Sequence, residues 1–183
     1  MEVSTVVYNP ALSGKEFVLE FRDTRDFPQA IALMENDERL RNEIFETVLE
    51  KEYPLPEYSA WLAAHFFMKN KLLLTDYWCN FFVDELLRTD NHTTQRNLSM
   101  ILNHFKGDLS ERSDLLDKLF EFLTHPDTLP ALRIHALRNI EIHYLKKYPE
   151  LLNELFSAIE MLQEQTLPSM KSMIRNFNKK YRK

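Results

Sequence analysis

Apolar residues return along this chain at i, i+4 and i+5, not at alternate positions. That spacing is one face of an α-helix and not a strand. The clearest instance is written twice: Leu115-Leu116-Asp117-Lys118-Leu119-Phe120 and Leu151-Leu152-Asn153-Glu154-Leu155-Phe156. The same register appears earlier as Tyr77 to Phe82 and as Leu40 to Phe45. Each copy ends on a phenylalanine, and each carries an apolar residue one and five positions before it. Phe45, Phe82, Phe120 and Phe156 are therefore expected at buried interfaces between neighbouring units.

A second apolar helix pattern lies between these copies. Thr128-Leu-Pro-Ala-Leu-Arg133 recurs as Thr166-Leu-Pro-Ser-Met-Lys171, and the same register passes through Arg96 and Glu57. Thr is placed to cap a helix N-terminus, and Pro in the first turn loses no hydrogen bond. The pattern predicts helices at about 14–22, 26–35, 38–52, 56–70, 76–88, 93–106, 111–124, 129–147, 150–165 and 168–181. Pro54, Pro56, Ser110, Pro126 and Pro149 punctuate them, and Gly107 is placed to cap a helix C-terminus. Residues 1–12 show no periodicity and are expected to form a loosely held arm before one helical repeat domain at 13–183.

Two helices per period, with a period in the high thirties, describe an all-α protein: an α-α superhelix of the HEAT or armadillo kind. The expectation is about four helix pairs and a C-terminal capping helix. Each pair has an apolar face too wide to bury alone, and stacking covers it. Composition agrees. The 183 residues include only 2 Gly but 13 Phe, which suits helices and argues against a glycine-dependent nucleotide-binding fold. Cys79 is the single cysteine, so no internal disulfide forms. The first residues lack the basic-then-apolar form of a secretory signal, no apolar run is long enough to span a membrane, and a cytoplasmic setting is the simplest expectation.

The net charge of −5 hides a segregation. The helices carrying the repeated Phe, here called row B, hold with their flanking turns 20 acids and 6 bases, a balance of −14. The alternating helices, row A, hold 14 bases and 2 acids, a balance of +12. One row of a superhelix lines the concave side, so opposite signs on the two rows make one of them a candidate docking face. Arg96, Arg133, Arg138, Lys171, Arg175, Lys179 and Lys180 are the row-A residues expected to form an anion or partner surface.

Little else points to chemistry. His135, Asn139 and His143 share one helical face, but imidazoles eight residues apart stand about 12 Å apart along the axis. They suit hydrogen bonding between helices better than a shared metal. Cys79 sits where the other repeats have Asn or Asp, which predicts partial exposure, with no basic neighbour to activate it. No HExxH, GxSxG, GxGxxG or phosphate-binding-loop motif occurs. The tail Lys171 to Lys183 holds six bases and no acid, with Phe177 and Tyr181 interleaved. It suits a terminal capping helix better than a phosphate-binding strip.

The stretches WLAAHFF, TTQRNLSMILNHF, LLDKLFEFL, LPALRIHALRNIEIHYL and PSMKSMIRNFNKKY resemble a group of small HEAT-like proteins of similar length, over residues 22–183. Members of that group are often labelled adenylosuccinate lyase. The resemblance implies an α-α superhelix with no established activity. The lyase superfamily carries a flexible serine loop of the form SSxMPxKxN. The nearest stretch here, Pro168-Ser169-Met170-Lys171-Ser172, lacks the paired serines and the Met-Pro order.

These readings converge on a non-catalytic interaction or scaffold module, without cofactor or metal, that docks a protein or peptide on one helix row. Nucleic-acid binding through row A and the tail ranks below it, because the acids of row B repel a polyanion. An enzyme without a recognisable motif ranks last, and no membrane partner is expected.

Overall fold

A computed structural model describes residues 11–162 and 167–182. The described residues form ten α-helices and no strand: α1 Gly14–Thr24, α2 Phe27–Asn36, α3 Glu38–Glu46, α4 Leu55–Lys69, α5 Asp76–Arg88, α6 His92–Leu102, α7 Ser113–Thr124, α8 Pro130–His143, α9 Leu151–Met161 and α10 Pro168–Tyr181. Short 3₁₀ turns follow α3 and α4. Odd-numbered helices stack as row B and even-numbered ones as row A. Row B extends back to α1, which packs on α3, and row A to α2, which packs on α4. The chain is thus an all-helical α-α superhelix, with ten helices among the described residues where four pairs and a cap would give nine. The arm expected at residues 1–12 lies, up to residue 10, outside the described residues.

Side-chain caps set half of the helix starts. Ser13 and Glu16 bond each other's backbone N–H groups at the start of α1. Asp26, Asp37, Thr75 and Asn91 accept backbone N–H bonds at the starts of α2, α3, α5 and α6. The capping role expected of Thr128 is not realised. α8 begins one residue later, Leu129 occupies the cap without a side-chain bond, and the Thr128 N–H instead closes a turn on the His125 carbonyl. Thr166 lies outside the described residues. Gly107 also differs from expectation: α6 ends at Leu102, and no glycine has a positive φ. Its lack of a Cβ serves space, since a Cβ there would stand 2.3 Å from the Phe105 ring. Gly14 serves the same end, because a Cβ would lie 2.5 Å from the Glu43 carbonyl carbon where α1 meets α3.

Three helices end earlier than periodicity predicts. α3 tightens into a 3₁₀ turn at Thr47–Leu49, after which Glu50 is extended. The apolar spacing of Val48 and Leu49 continues the helical pattern, so periodicity alone runs past the change. α8 stops at His143, and Tyr144 turns its hydroxyl onto the Arg112 carbonyl at 2.8 Å. α6 stops at Leu102, and Phe105 and Leu109 of the following connection are buried.

One contiguous apolar cluster runs through the stack. Its centre is aromatic. Phe45 of α3 stacks on Phe67 of α4 at 4.9 Å and meets Phe82 of α5 edge-on at 5.7 Å. The repeated phenylalanines divide into two kinds, which corrects the expectation that all four are buried. Phe45 and Phe82 are fully enclosed, whereas Phe120 and Phe156 are half-buried on the rim of the core. In α7 and α9 the interior is filled by Leu115, Leu119, Leu123, Leu155 and Ile159. Phe156 closes the stack against Phe177 at 5.6 Å, with the Arg182 guanidinium 4.8 Å over its face.

Cys79 is another correction, being fully buried instead of partly exposed. Arg112 of the α6–α7 connection comes beside it, and Tyr144, just after α8, is held there by its bond to the Arg112 carbonyl. Burial pushes its thiol up to about 12, which leaves it protonated and unreactive.

Candidate docking surface

The curvature of the stack decides which row faces inwards. From the second unit to the fourth, α4 packs along α6 and α6 along α8. Their row-B counterparts touch over less of their length, and α3 and α5 hardly meet. Stacked units bend towards the row whose members stand closer, so row A lines the inner face there and row B the outer.

On α8 the inward stripe begins with hydrogen bonds that lock the helices together. Asn139 donates to the Ser99 carbonyl at 2.9 Å, and His143 Nε2 meets the Leu102 carbonyl at 3.0 Å. These carbonyls belong to the last turn of α6, which has no intrahelical donors left for them. His135 Nδ1 lies 2.9 Å from the Asn103 side-chain amide. The i, i+4, i+8 stripe is therefore an interhelix fastening, as its spacing suggests. No group of three or more His, Cys, Asp or Glu among the described residues is arranged to hold a metal ion.

The basic residues named from sequence fall into four sets. Arg133 is buried, and its guanidinium donates to the carbonyls of His125 and Pro126 at 2.6 and 2.9 Å. It holds the turn between α7 and α8 and is not part of any accessible surface. Arg96 and Arg138 flank His135 on the inner face. His104 stands within electrostatic reach of Arg138, Lys71 and Lys106. Lys171, Arg175 and Lys179 form an exposed stripe along α10, a quarter turn or more from its cleft-facing side. Lys180 points back towards α8, where it pairs with Glu141 at 3.2 Å.

The ion pairs differ sharply between rows. In row B, Arg39, Arg41, Arg88, Arg112 and Lys118 each pair with a nearby acid. Arg112 also ties α7 to α5, reaching Asp84 at 2.8 Å and Asn80 at 3.1 Å. In row A, by contrast, Lys71, Arg96, Lys106, Arg138, Lys146, Lys171, Arg175 and Lys179 make no ion pair among the described residues. Among the described residues, only Lys147 with Glu111 and Arg182 with Glu160 join the two rows. The segregation is thus not consumed by internal pairing.

Between α8 and α10, row A opens into a cleft of about 580 Å³. Its floor is Leu137 and Phe177, both buried, and its walls are Ile134, Ile142 and Met173. Arg138, Lys180 and Asn176 stand on its rim. A neighbouring hollow of about 680 Å³ shares Ile142 and is edged by Lys106, Lys146 and Lys147. Sequence reading missed the cleft and His104. The cleft depends on how far α8 and α10 part, which apolar spacing does not encode. The alternation of Ile134, Arg138 and Ile142 at helical spacing on a basic helix was the available signal.

The inner-face histidines set a pH dependence. Burial holds His65, His104, His135 and His143 below the ordinary imidazole range, and His135 falls to about 4 with Arg138, Arg96 and His104 adding to the effect. The unfolded chain binds these protons near pH 6.5, whereas the folded chain resists them. Folding stability is therefore complete above that pH and is lost as pH falls towards 4. The melting temperature should drop between pH 7 and pH 5, where carboxylates are still ionised, and His135→Gln should flatten that slope. A melting temperature that is constant or rises on acidification contradicts this assignment.

A stack of helix pairs, joined by an aromatic core and curved towards one row, defines a helical repeat protein. The HEAT repeat domain family matches residues 19–181, and the chain belongs to that family. No curated protein and no solved structure matches it. HEAT repeats commonly mediate protein–protein interaction, and proteins built from them are generally non-catalytic scaffolds. The match supports the repeat architecture and does not extend to the lyase label. No helix among the described residues is long and apolar enough to cross a membrane.

Proposed function

We propose that the chain is a non-catalytic docking module, working in the cytoplasm, that receives an acidic segment of a partner protein on row A. The observation that carries this reading is the set of eight row-A cations without an acid partner among the described residues, two of which, Arg96 and Arg138, lie on the inner face beside His104 and His135. Surface cations that served only solubility would be expected in both rows, interleaved with acids. Here one row pairs nearly all its bases and the other leaves most of its bases open. An acidic segment entering the curve gains attraction from several of them, which speeds encounter and fixes orientation more than it adds affinity.

The test compares the tagged full chain with the Arg96→Glu, Arg138→Glu double variant in co-purification from its own cells. A partner retained by the wild type should be lost by the variant and released by about 0.5 M salt, where screening shortens electrostatic reach below about 5 Å. Equal retention of the same proteins by both forms overturns the reading. A gel-shift series with random DNA at low salt should show no shift, because the outer row carries a balance of −14. A shift that weakens steeply with salt and is lost in the double variant assigns the surface to nucleic acid instead.

A further inference from the structure

We infer that the α8–α10 cleft is an anchor pocket for one large apolar side chain of the partner, and that carboxylates flanking this side chain seat over Arg138 and Arg96. The inference rests on the docking function proposed above and adds where the partner is gripped and by what kind of sequence. Three observations carry it.

The first is the shape and lining of the cleft. A volume of about 580 Å³ over Leu137 and Phe177 is room for a leucine, phenylalanine or tryptophan side chain. Ile142 is 43% exposed on its wall, an apolar side chain left open beside Arg138 and the Lys180–Glu141 pair. Filling the cleft removes that apolar surface from water, and such enclosed anchors carry most of the energy of a typical interface.

The second is the position of the charges. Arg138 is exposed, has no acid partner among the described residues, and belongs both to the cleft rim and to the inner-face cluster that includes Arg96, His104 and His135. No acid contributes to the field on either histidine. A carboxylate placed there meets attraction from several groups at once. At the other rim, Lys180 is neutralised by Glu141, so the attraction is stronger towards α6 than at the far edge of α10.

The third is the arrangement along the helices. Ile134, Arg138 and Ile142 follow one another at intervals of four on α8, and Met173, Asn176 and Lys180 line the facing side of α10. A short amphipathic segment laid between the two helices would face apolar positions in the middle and a cation on the α6 side. This is the helix-in-groove mode of recognition, with an acidic rather than a basic ligand. The recognised sequence is therefore a leucine or aromatic residue with aspartate or glutamate within one helical turn on one side.

The test uses a displayed library of random peptides of about 12 residues, long enough for three helical turns, selected on the immobilised full chain. Selected peptides should share an apolar residue with neighbouring acids. Binding of a synthetic consensus peptide should weaken about thirtyfold or more in Ile142→Ser and in Met173→Glu, the loss expected on removing an anchor contact. Ile142 is exposed and Met173 is half-buried at the edge of the core, so circular dichroism with thermal melting checks that each variant folds as the wild type does. Arg138→Gln should weaken the same peptide and flatten its salt dependence. Peptides that are acidic but lack an apolar residue, and whose binding survives both cleft variants while failing in the Arg96→Glu, Arg138→Glu form, overturn the anchor pocket and leave the docking function standing. Selection of no peptide overturns the anchor pocket. Selection of basic peptides, or of peptides indifferent to all these changes, overturns both.

Discussion

Replacing Phe82 with alanine should lower stability by about 3–5 kcal/mol, the cost of emptying a well-packed aromatic site. That is a large share of the roughly 5–15 kcal/mol that holds an ordinary domain folded. Phe82 has no solvent exposure and lies in ring contact with Phe45 at 5.7 Å, Phe67 at 5.8 Å, Phe81 at 5.4 Å and Trp78 at 6.0 Å. These rings come from α3, α4 and α5, so no single helix can shift to refill the space. The equivalent Phe120→Ala should cost only about 1–2 kcal/mol, because that ring is not fully enclosed and its removal leaves less of a cavity. The urea midpoints of the two variants, at unchanged slope, measure the difference. Equal midpoints would mean that the four repeats contribute alike and that the division into enclosed and rim phenylalanines is wrong.

Arg133 and Arg138 should separate just as clearly, in two readouts. Arg133→Met removes the donor held by the His125 and Pro126 carbonyls. The loss should be about 1.5–3 kcal/mol, the usual range for hydrogen bonds from a charged group. It should leave affinity for the consensus peptide unchanged. Arg138→Met should do the reverse, changing stability by less than about 0.5 kcal/mol, as exposed positions do, while weakening the peptide. The two arginines are five residues apart on one helix, which turns them about 140° from each other. If both variants lose stability equally, or both lose binding equally, the inner face has been assigned to the wrong side of α8.

That pair also shows what the sequence can and cannot display. The repeat was legible because packing demands it: an i, i+4, i+5 apolar face recurs wherever a helix must lie on its neighbours, and α3, α5, α7 and α9 all carry one. The fastening role of His135, Asn139 and His143 was legible for the same reason, since polar groups repeated every four residues point along one side. Orientation relative to the turns was not legible. The repeat places Arg133 at the same register as Arg96, yet it meets the carbonyls of its own α7–α8 turn and is buried, whereas Arg96 is half exposed. Cys79 follows the same logic. Its register holds exposed Asp117 and Asn153 elsewhere, but Arg112 of the connection after α6 and Tyr144 just after α8 come beside it. Helix ends were read too long at α3, α6 and α8, because the apolar residues that follow them pack into the same core through turns.

The central claim is that the partner sits on row A, and lysine footprinting of the full chain with and without its co-purified partner tests it most directly. Acetylation reads each lysine separately, and both rows carry lysines. Binding should protect Lys71, Lys106 and Lys146, which make no ion pair among the described residues, and leave Lys51 and Lys118 of row B reacting as before. Protection of Lys51 and Lys118 with unchanged reactivity along row A would contradict it.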